Sequence, residues 1–300
     1  MSMLPPSERP ARLAVGVVGA GRVGAVLGAA LARAGHRVVA IAAVSEPSRE
    51  RARRLVPEAP ILPADEVAAH AELLLLAVPD DALAGLVLGL ANSASVGNGT
   101  LVVHTSGAHG IDVLDPLTAT GALPFALHPV MTFTGTEVDV QRLDGACFGV
   151  TTTEALRPVA EALVIEMGSE PVWIAEAHRR TYHAGLAFGA NNLVTLVTEA
   201  ADVLTRAGVE APQRMLGPLL GAALDNSLRH GDRALTGPVA RGDAGTVAAH
   251  LRAMRAQAPE ATAAYVELSR LTVFRALEAG TLTAALAGEL LDVLAAPDPT

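Results

Sequence analysis

Three glycines, a few histidines and a set of arginines are the residues in this chain whose types and spacing could do chemistry. Gly19-Ala20-Gly21-Arg22-Val23-Gly24 follows the apolar run Val15-Gly16-Val17-Val18 and leads into an alanine-rich helical pattern that ends at Gly35. The first glycine permits a tight turn out of a strand. The second leaves the backbone bare for a pyrophosphate, and the third lets a helix pack close to the sheet. Arg22 and Val23 then open a helix whose free N–H groups and partial positive charge face the phosphates. Strand, glycines and helix stand in the order a dinucleotide site requires; the alternative is a glycine-rich turn that binds nothing.

The other polar groups suggest proton transfer and substrate binding. His104-Thr105-Ser106-Gly107 and His128-Pro129 each close a strand-like run, and ligands of open α/β sheets lie outside the carboxyl ends of strands. Histidine titrates near working pH and suits a proton donor, although either histidine alone could be structural. Tyr182, His183, Asn191 and Asn192 mark an otherwise apolar helical pattern. His183 and Asn191 lie eight residues apart, about two turns, so an ideal helix puts them on one face. Such groups need partners or water, from a cleft against the dinucleotide domain or from a helix–helix pair. Residues 234–243 hold Thr236, a Gly-Pro turn, Arg241 and a Gly-Asp turn. Arg241 could pair with a substrate carboxylate or satisfy carbonyls in an interhelical loop.

Two kinds of element must position these residues. Apolar runs at 15–18, 37–44, 73–78, 101–104, 126–127, 147–151 and 172–174 read as strands, with a short one at 61–62 and a short helix at 65–70. After Glu176 helical periodicity takes over, at 178–207, 215–228, 245–255, 259–277 and 283–294. The expectation is an α/β Rossmann domain over residues 1–176, with a doubly wound and mostly parallel sheet, followed by an all-α domain over residues 177–300. The end of the second strand decides the cofactor. Ser45 at its tip, Ser48, Arg49 and Arg51 beyond, and Arg22 in the glycine loop favour NADP, whereas Glu46, one position late, would favour NAD. Arg49, Arg51, Arg53 and Arg54 could equally form a solvated helix face. Val78, Pro79 and Asp80 follow a strand whose loop passes over the cofactor, with a helix start as the plainer reading. Thr105 completes the cofactor contacts.

Composition sets limits. The 300-residue chain is 51% hydrophobic but only 3% aromatic, so alanine, valine and leucine fill its core. A formal charge of −9 leaves no basic surplus for nucleic acid. One cysteine, Cys147, excludes an internal disulfide framework and a cysteine-based metal site. The polar N-terminus and the absence of a long apolar run predict a cytoplasmic protein that meets no membrane. All 22 basic residues are arginine, which removes any mechanism needing a lysine.

Four segments resemble a family proposed as NADP oxidoreductases, in which a Rossmann-like domain precedes a helical domain of unknown function. They are His104-Thr105-Ser106-Gly107, His128-Pro129 with Thr132-Phe133, Tyr182-His183-Ala184, and Leu235-Thr236-Gly237-Pro238 with Arg241-Gly242-Asp243. The dinucleotide half also resembles the superfamily of pyrroline-5-carboxylate reductases, ketopantoate reductases and 3-hydroxyacid dehydrogenases. Two departures stand out. Ser45-Glu46-Pro47 replaces the family's Ser-Arg-Ser, which removes one support for NADP. Phe188 stands where the dehydrogenases carry lysine before Asn191-Asn192, so their lysine mechanism does not transfer. The resemblance implies reduction of a small carbonyl, such as a ketopantoate-like 2-oxo acid, or of an imine held between the domains. His183 or His128 would donate the proton, and Asn191 or Ser106 would orient the carbonyl oxygen. Tyr182, Thr236 and Arg241 would bind substrate, no metal would be needed, and the apolar helical half would form a homodimer. The competing readings are a non-catalytic NADP-binding sensor and a structural partner that has lost the cofactor.

Overall fold

The apolar run before the glycines forms β1 (Ala14–Val18), from which a seven-stranded sheet extends in both directions. The other strands are β2 (Arg37–Ala42), β3 (Leu73–Leu76), β4 (Leu101–His104), β5 (Leu123–Pro129), β6 (Cys147–Thr152) and β7 (Glu170–Trp173). In this computed structural model, which describes residues 12–296, the spatial order is β2-β1-β3-β4-β5-β6-β7. The first five strands run parallel, β6 is antiparallel to β5, and β7 is parallel to β6. The order reverses between β1 and β3. Such a switch point opens a crevice at the carboxyl ends of its two strands, and Gly19 and Ala77 follow those ends.

Helices cover both faces of the sheet. They are α1 (Arg22–Arg33), α2 (Glu46–Leu55), α3 (Ala64–Ala69), α4 (Asp80–Asn92), α5 (Asp115–Thr118), α6 (Glu137–Arg142) and α7 (Arg157–Glu166). Leu73 and Leu75 face one core, with Leu27 and Leu31 of α1 and Leu163 of α7. Leu74 and Leu76 face the other, with Val67 of α3 and Leu83 and Val87 of α4. Alternation on a strand buried on both sides explains why all four leucines are apolar. The fold is thus the expected doubly wound, mostly parallel α/β sheet with a helical C-terminal region.

The chain divides into two compact units, residues 1–187 and 188–300. Helix α8 (Arg179–Leu186) belongs to the first. The second contains α9 (Asn192–Arg206), α10 (Pro212–His230), α11 (Gly237–Ala240), α12 (Ala244–Gln257), α13 (Pro259–Glu278) and α14 (Ala284–Ala295). Its core joins Val239, Val247, Leu251, Val273, Leu290 and Leu294. Asp243 and Thr283 cap α12 and α14 by accepting the N–H groups of Thr246 and Leu286.

Three local expectations are corrected. The strand placed at 126–127 begins at Leu123 and includes His128 and Pro129, because the antiparallel β6 pairs with it as far as Phe148. Residues 61–62 contribute one bridge, Ile61 to Ile41. The single helix placed at 178–207 is a 3₁₀ turn, α8, a π-helical segment at Ala187–Asn191, and α9. The wider π turn removes the ideal spacing that put His183 and Asn191 on one face.

Gly24 shows how tightly the switch point is packed. A Cβ there would overlap the Gly19 carbonyl and approach Ala77 Cβ to 2.8 Å. The obstacle is mainly backbone and cannot turn aside. Gly24→Ala should lower stability by about 1–3 kcal/mol, read from urea denaturation midpoints.

Candidate functional site

The glycine turn has the three properties a diphosphate cradle needs. Gly19 has φ +102°, and a Cβ would strike the Ala77 carbonyl, so the turn admits only glycine. At Gly21 a Cβ would meet nothing within 4 Å, which leaves open space over the backbone. Gly24 lets α1 close onto the turn. No side chain caps α1 and no acidic residue stands in its first turn, so its leading N–H groups and positive end remain available to an anion. Arg22 at its start is exposed, and Val23 is half-buried. The residues present fit a dinucleotide.

The arginines of α2 divide into two kinds. Arg51 donates to the Ala20 carbonyl at 3.0 Å and Arg54 to the Gly135 carbonyl at 2.8 Å, so these two fasten loops. Arg49 donates through Nε to Ala43 O at 3.3 Å and keeps an exposed guanidinium. Ser45 caps α2 by accepting Ser48 N–H. Glu46 pairs with Arg53 at 2.9 Å and lies 3.8 Å from Arg49. The carboxylate that would favour NAD is therefore engaged by arginine. Val78 packs over Gly19, and Pro79 precedes α4, whose first turn carries Asp80 and Asp81. Thr105 N–H donates to Leu76 O at 3.2 Å, joining the ends of β3 and β4.

A second cluster lies at the ends of β4 and β5. His104 is fully buried; its Nδ1 accepts Ser106 N–H at 3.2 Å, so its Nε2–H donates to Gly110 O at 2.7 Å. Ser106 Oγ accepts His109 N–H at 3.1 Å. These two residues build a turn. His128 faces α8 instead. Its Nδ1 lies 2.8 Å from Tyr182 Oη, and its ring meets that of His183 edge-on at 5.9 Å. We assign the phenol as donor, because its proton has no other acceptor among the described residues. The proton of neutral His128 then sits on Nε2. Glycines make the space. A Cβ on Gly107 would come within 2.9 Å of His128 Nε2 and would press on His183, and a Cβ on Gly149 would overlap the Tyr182 hydroxyl. His128, Tyr182 and His183 are thus brought together, with Ser106 one residue from Gly107.

Asn191 and Asn192 are exposed and hydrogen-bond to no described residue, so the helix–helix pair is not formed. Thr236 precedes α11 without capping it, and Arg241 is exposed at the end of that helix. The sequence reading passed over Arg179, which is 1% exposed and donates to three carbonyls: His109 at 2.8 Å, Ser106 at 2.8 Å and Gly149 at 3.0 Å. Its signal was position. An arginine opening a helix opposes the helix dipole and must be held there by something else. Glu176 was missed too; it accepts Ile111 N–H at 2.7 Å.

Burial is the main cause that lowers the His128 pKa to about 4, with Arg179 and His183 adding to it. Burial likewise lowers His104 to about 4 against the opposing hydrogen bond to Gly110. Burial raises Tyr182, so the phenol keeps its proton. His128 is neutral at pH 7 and is no imidazolium donor. Both histidines bind a proton more readily unfolded, near pH 6.5, than folded, near pH 4. Stability should therefore be complete above pH 6.5 and fall as pH drops toward 4, by about 3 kcal/mol for each histidine. Urea titrations between these pH values should show the loss, and His128→Asn should remove about half of it.

Residues 4–129 match the family model of a Rossmann-like domain, and residues 146–272 match that of a domain of unknown function, DUF2520. No curated protein matches the chain. Among solved structures, a Bacteroides fragilis protein whose description proposes an NADP oxidoreductase is 24% identical with TM-score 0.72, over 87% of this chain and 98% of that one. A Thermotoga maritima protein is 22% identical with TM-score 0.66, over 88% and 98%. Pyrroline carboxylate reductase of Plasmodium falciparum, with NADP bound, is 13% identical with TM-score 0.56, over 93% and 98%. At these identities the likeness establishes a shared fold. The two domain matches say more: this chain joins a Rossmann-like domain to a DUF2520 domain.

Proposed function

We propose that this protein is an NADPH-dependent reductase of a small carbonyl or imine compound. One observation carries the reading: α1 begins uncapped beneath open space at Gly21, while Gly19 and Gly24 admit no side chain. N–H groups at the start of α1 would hold the diphosphate. Arg22, Arg49 and the Ser45 hydroxyl would take the 2′-phosphate, with Glu46 occupied by Arg53. Val78, Pro79 and Thr105 line the strand ends beside this cradle. Bound NADPH would supply a hydride to the substrate carbon. The structures of similar fold include a reductase of pyrroline carboxylate, which is a cyclic imine, and this supports the same class of reaction.

The side chains beside Gly107 would handle the proton. The His183 ring makes no hydrogen bond to a described residue, so its nitrogens would be free to deliver a proton to a forming alkoxide. Neutral His128, fixed through Nδ1 by Tyr182, offers Nε2–H to a carbonyl oxygen or imine nitrogen. Ser106 can donate its hydroxyl proton nearby. On the helical unit, Arg241 is the group suited to a substrate carboxylate, and Asn191 and Thr236 are polar and exposed.

We also infer a homodimer through the helical unit. Leu268, Leu271, Phe274 and Leu277 of α13 are 40–54% exposed, and Met215, Leu219, Leu224 and Leu228 of α10 are 50–80% exposed. Exposed apolar side chains in this number mark an interaction surface, and a second copy can cover it by two-fold symmetry. Sedimentation should give a dimer, and Leu271→Glu with Phe274→Glu should give a folded monomer.

The catalytic reading is tested by titrating NADPH and NADH and by following NADPH oxidation with 2-oxo acids and cyclic imines. NADPH should bind at least ten-fold tighter than NADH, and Arg49→Ala should erase most of that preference. His183→Ala should lower turnover of a carbonyl substrate about 10²–10⁴-fold with little change in NADPH affinity. Binding without turnover of any substrate would favour a sensor, and no binding would remove both readings.

A further inference from the structure

Arg179 is the largest fully buried side chain of the described residues, and its nitrogens are spent on carbonyls from two separate segments. Nε and Nη2 hold His109 O and Ser106 O at the two ends of the loop after β4, and Nη1 holds Gly149 O in the middle of β6. A guanidinium stays charged in proteins. Its burial is tolerated because each donor nitrogen meets a carbonyl oxygen. The arginine thus pins the first turn of α8 to two places on the sheet. Tyr182 lies three residues on, with its ring 5.6 Å from the guanidinium carbon, and His183 follows. The same β6 residue, Gly149, gives Arg179 its carbonyl and gives the Tyr182 hydroxyl the space of an absent side chain. The loop it holds by Ser106 and His109 contains Gly107, against which both His128 and His183 rest.

We propose that Arg179 is a positioning residue: it fixes α8 against the β4 loop and β6, and so sets Tyr182 and His183 in register with His128. It touches no reacting atom and acts through Tyr182. The kinetic arm of its test rests on the reductase reading above, whereas the structural arm does not. The titratable and charged groups that face His128 are Arg179, Tyr182 and His183 from α8 and Asp80 from the start of α4. Loosening α8 would wet His128 and move its titration toward that of a free imidazole.

Three variants of the full chain decide the matter: Arg179→Lys, which keeps a charge but not the fork, Tyr182→Phe, and the pair. Circular dichroism checks folding, and histidine-ring NMR follows His128. In Arg179→Lys, His128 should titrate at least one pH unit higher than in the parent. NADPH affinity should stay within two-fold, because the glycine turn is untouched, and kcat should fall at least ten-fold. The double variant should be no worse than the poorer single one within two-fold, since both cut the same link. An unchanged His128 titration in a folded Arg179→Lys protein, or effects that multiply in the double variant, would overturn the proposal. If Arg179→Lys does not fold, Tyr182→Phe carries the test alone. The Arg179 Nε–H should then keep its slow hydrogen exchange, and loss of that protection would show that the tyrosine anchors the arginine rather than the reverse. If the parent turns over no carbonyl or imine, the reductase reading fails while the NMR arm still decides the role of Arg179.

Discussion

The tightest constraint in this molecule is the backbone contact between the turn after β1 and the first turn of α1. Gly19 and Gly24 touch through positions where any side chain would collide with a carbonyl. That contact aims the start of α1 at the reversal of strand order between β1 and β3. Between them Gly21 stands at the N-cap with no side chain to offer, so nothing caps the helix start. A protein that merely needed a strand–helix turn would gain from a cap worth about 1 kcal/mol. Leaving the position bare is consistent with an anionic partner supplied from outside the chain.

A second constraint works at the same carboxyl end of the parallel strands, beyond β4 and β5. There the sheet must switch direction between β5 and β6, and the polar groups exposed by that switch satisfy one another. His104 closes the turn to Gly110, Ser106 takes the N–H of His109, and Arg179 gathers three carbonyls. A buried polar group left unpaired costs about 1–3 kcal/mol, so this network holds together as a unit. His128 stands at its edge with Nε2 still free. That contrast separates two histidines the sequence could not tell apart: both end a strand and both are held near pKa 4, but one has spent both nitrogens and the other only one.

Local sequence made the sheet readable wherever a strand is buried on both faces, as with the four leucines of β3, and wherever a glycine has a steric duty. The helices of the second unit were readable from their period, while the capping roles of Thr283 and Asp243 were not read. What escaped depended on distant partners. The true start of β5 at Leu123 is set by its pairing with β4, and its end at Pro129 by its pairing with β6. The π turn at Ala187–Asn191 has no marker in residue type, so the shared face of His183 and Asn191 rested on an ideal helix that the chain does not form. Arg179 was passed over, and only its three carbonyl partners, 30 to 73 residues away, identify it.

Burial also changes how the proton chemistry must be divided. The free-imidazole pKa made either histidine a fair acid at neutral pH, but His128, held near pKa 4, keeps its Nε2 proton only as part of a neutral ring. A neutral ring polarises a carbonyl through a hydrogen bond and gives up its proton far less readily than an imidazolium would. On the proposed reductase reading, the arrangement would separate two tasks often given to one residue, with His128 aiming the substrate and His183 moving the proton. For a carbonyl both are needed, because the oxygen must end protonated. For an imine already carrying its proton, only the aiming group has work to do, and a nearby buried guanidinium disfavours a second positive charge. On the proposed reading, the charge of Arg179 would bear on substrate choice as well as on geometry, favouring a neutral or anionic carbonyl.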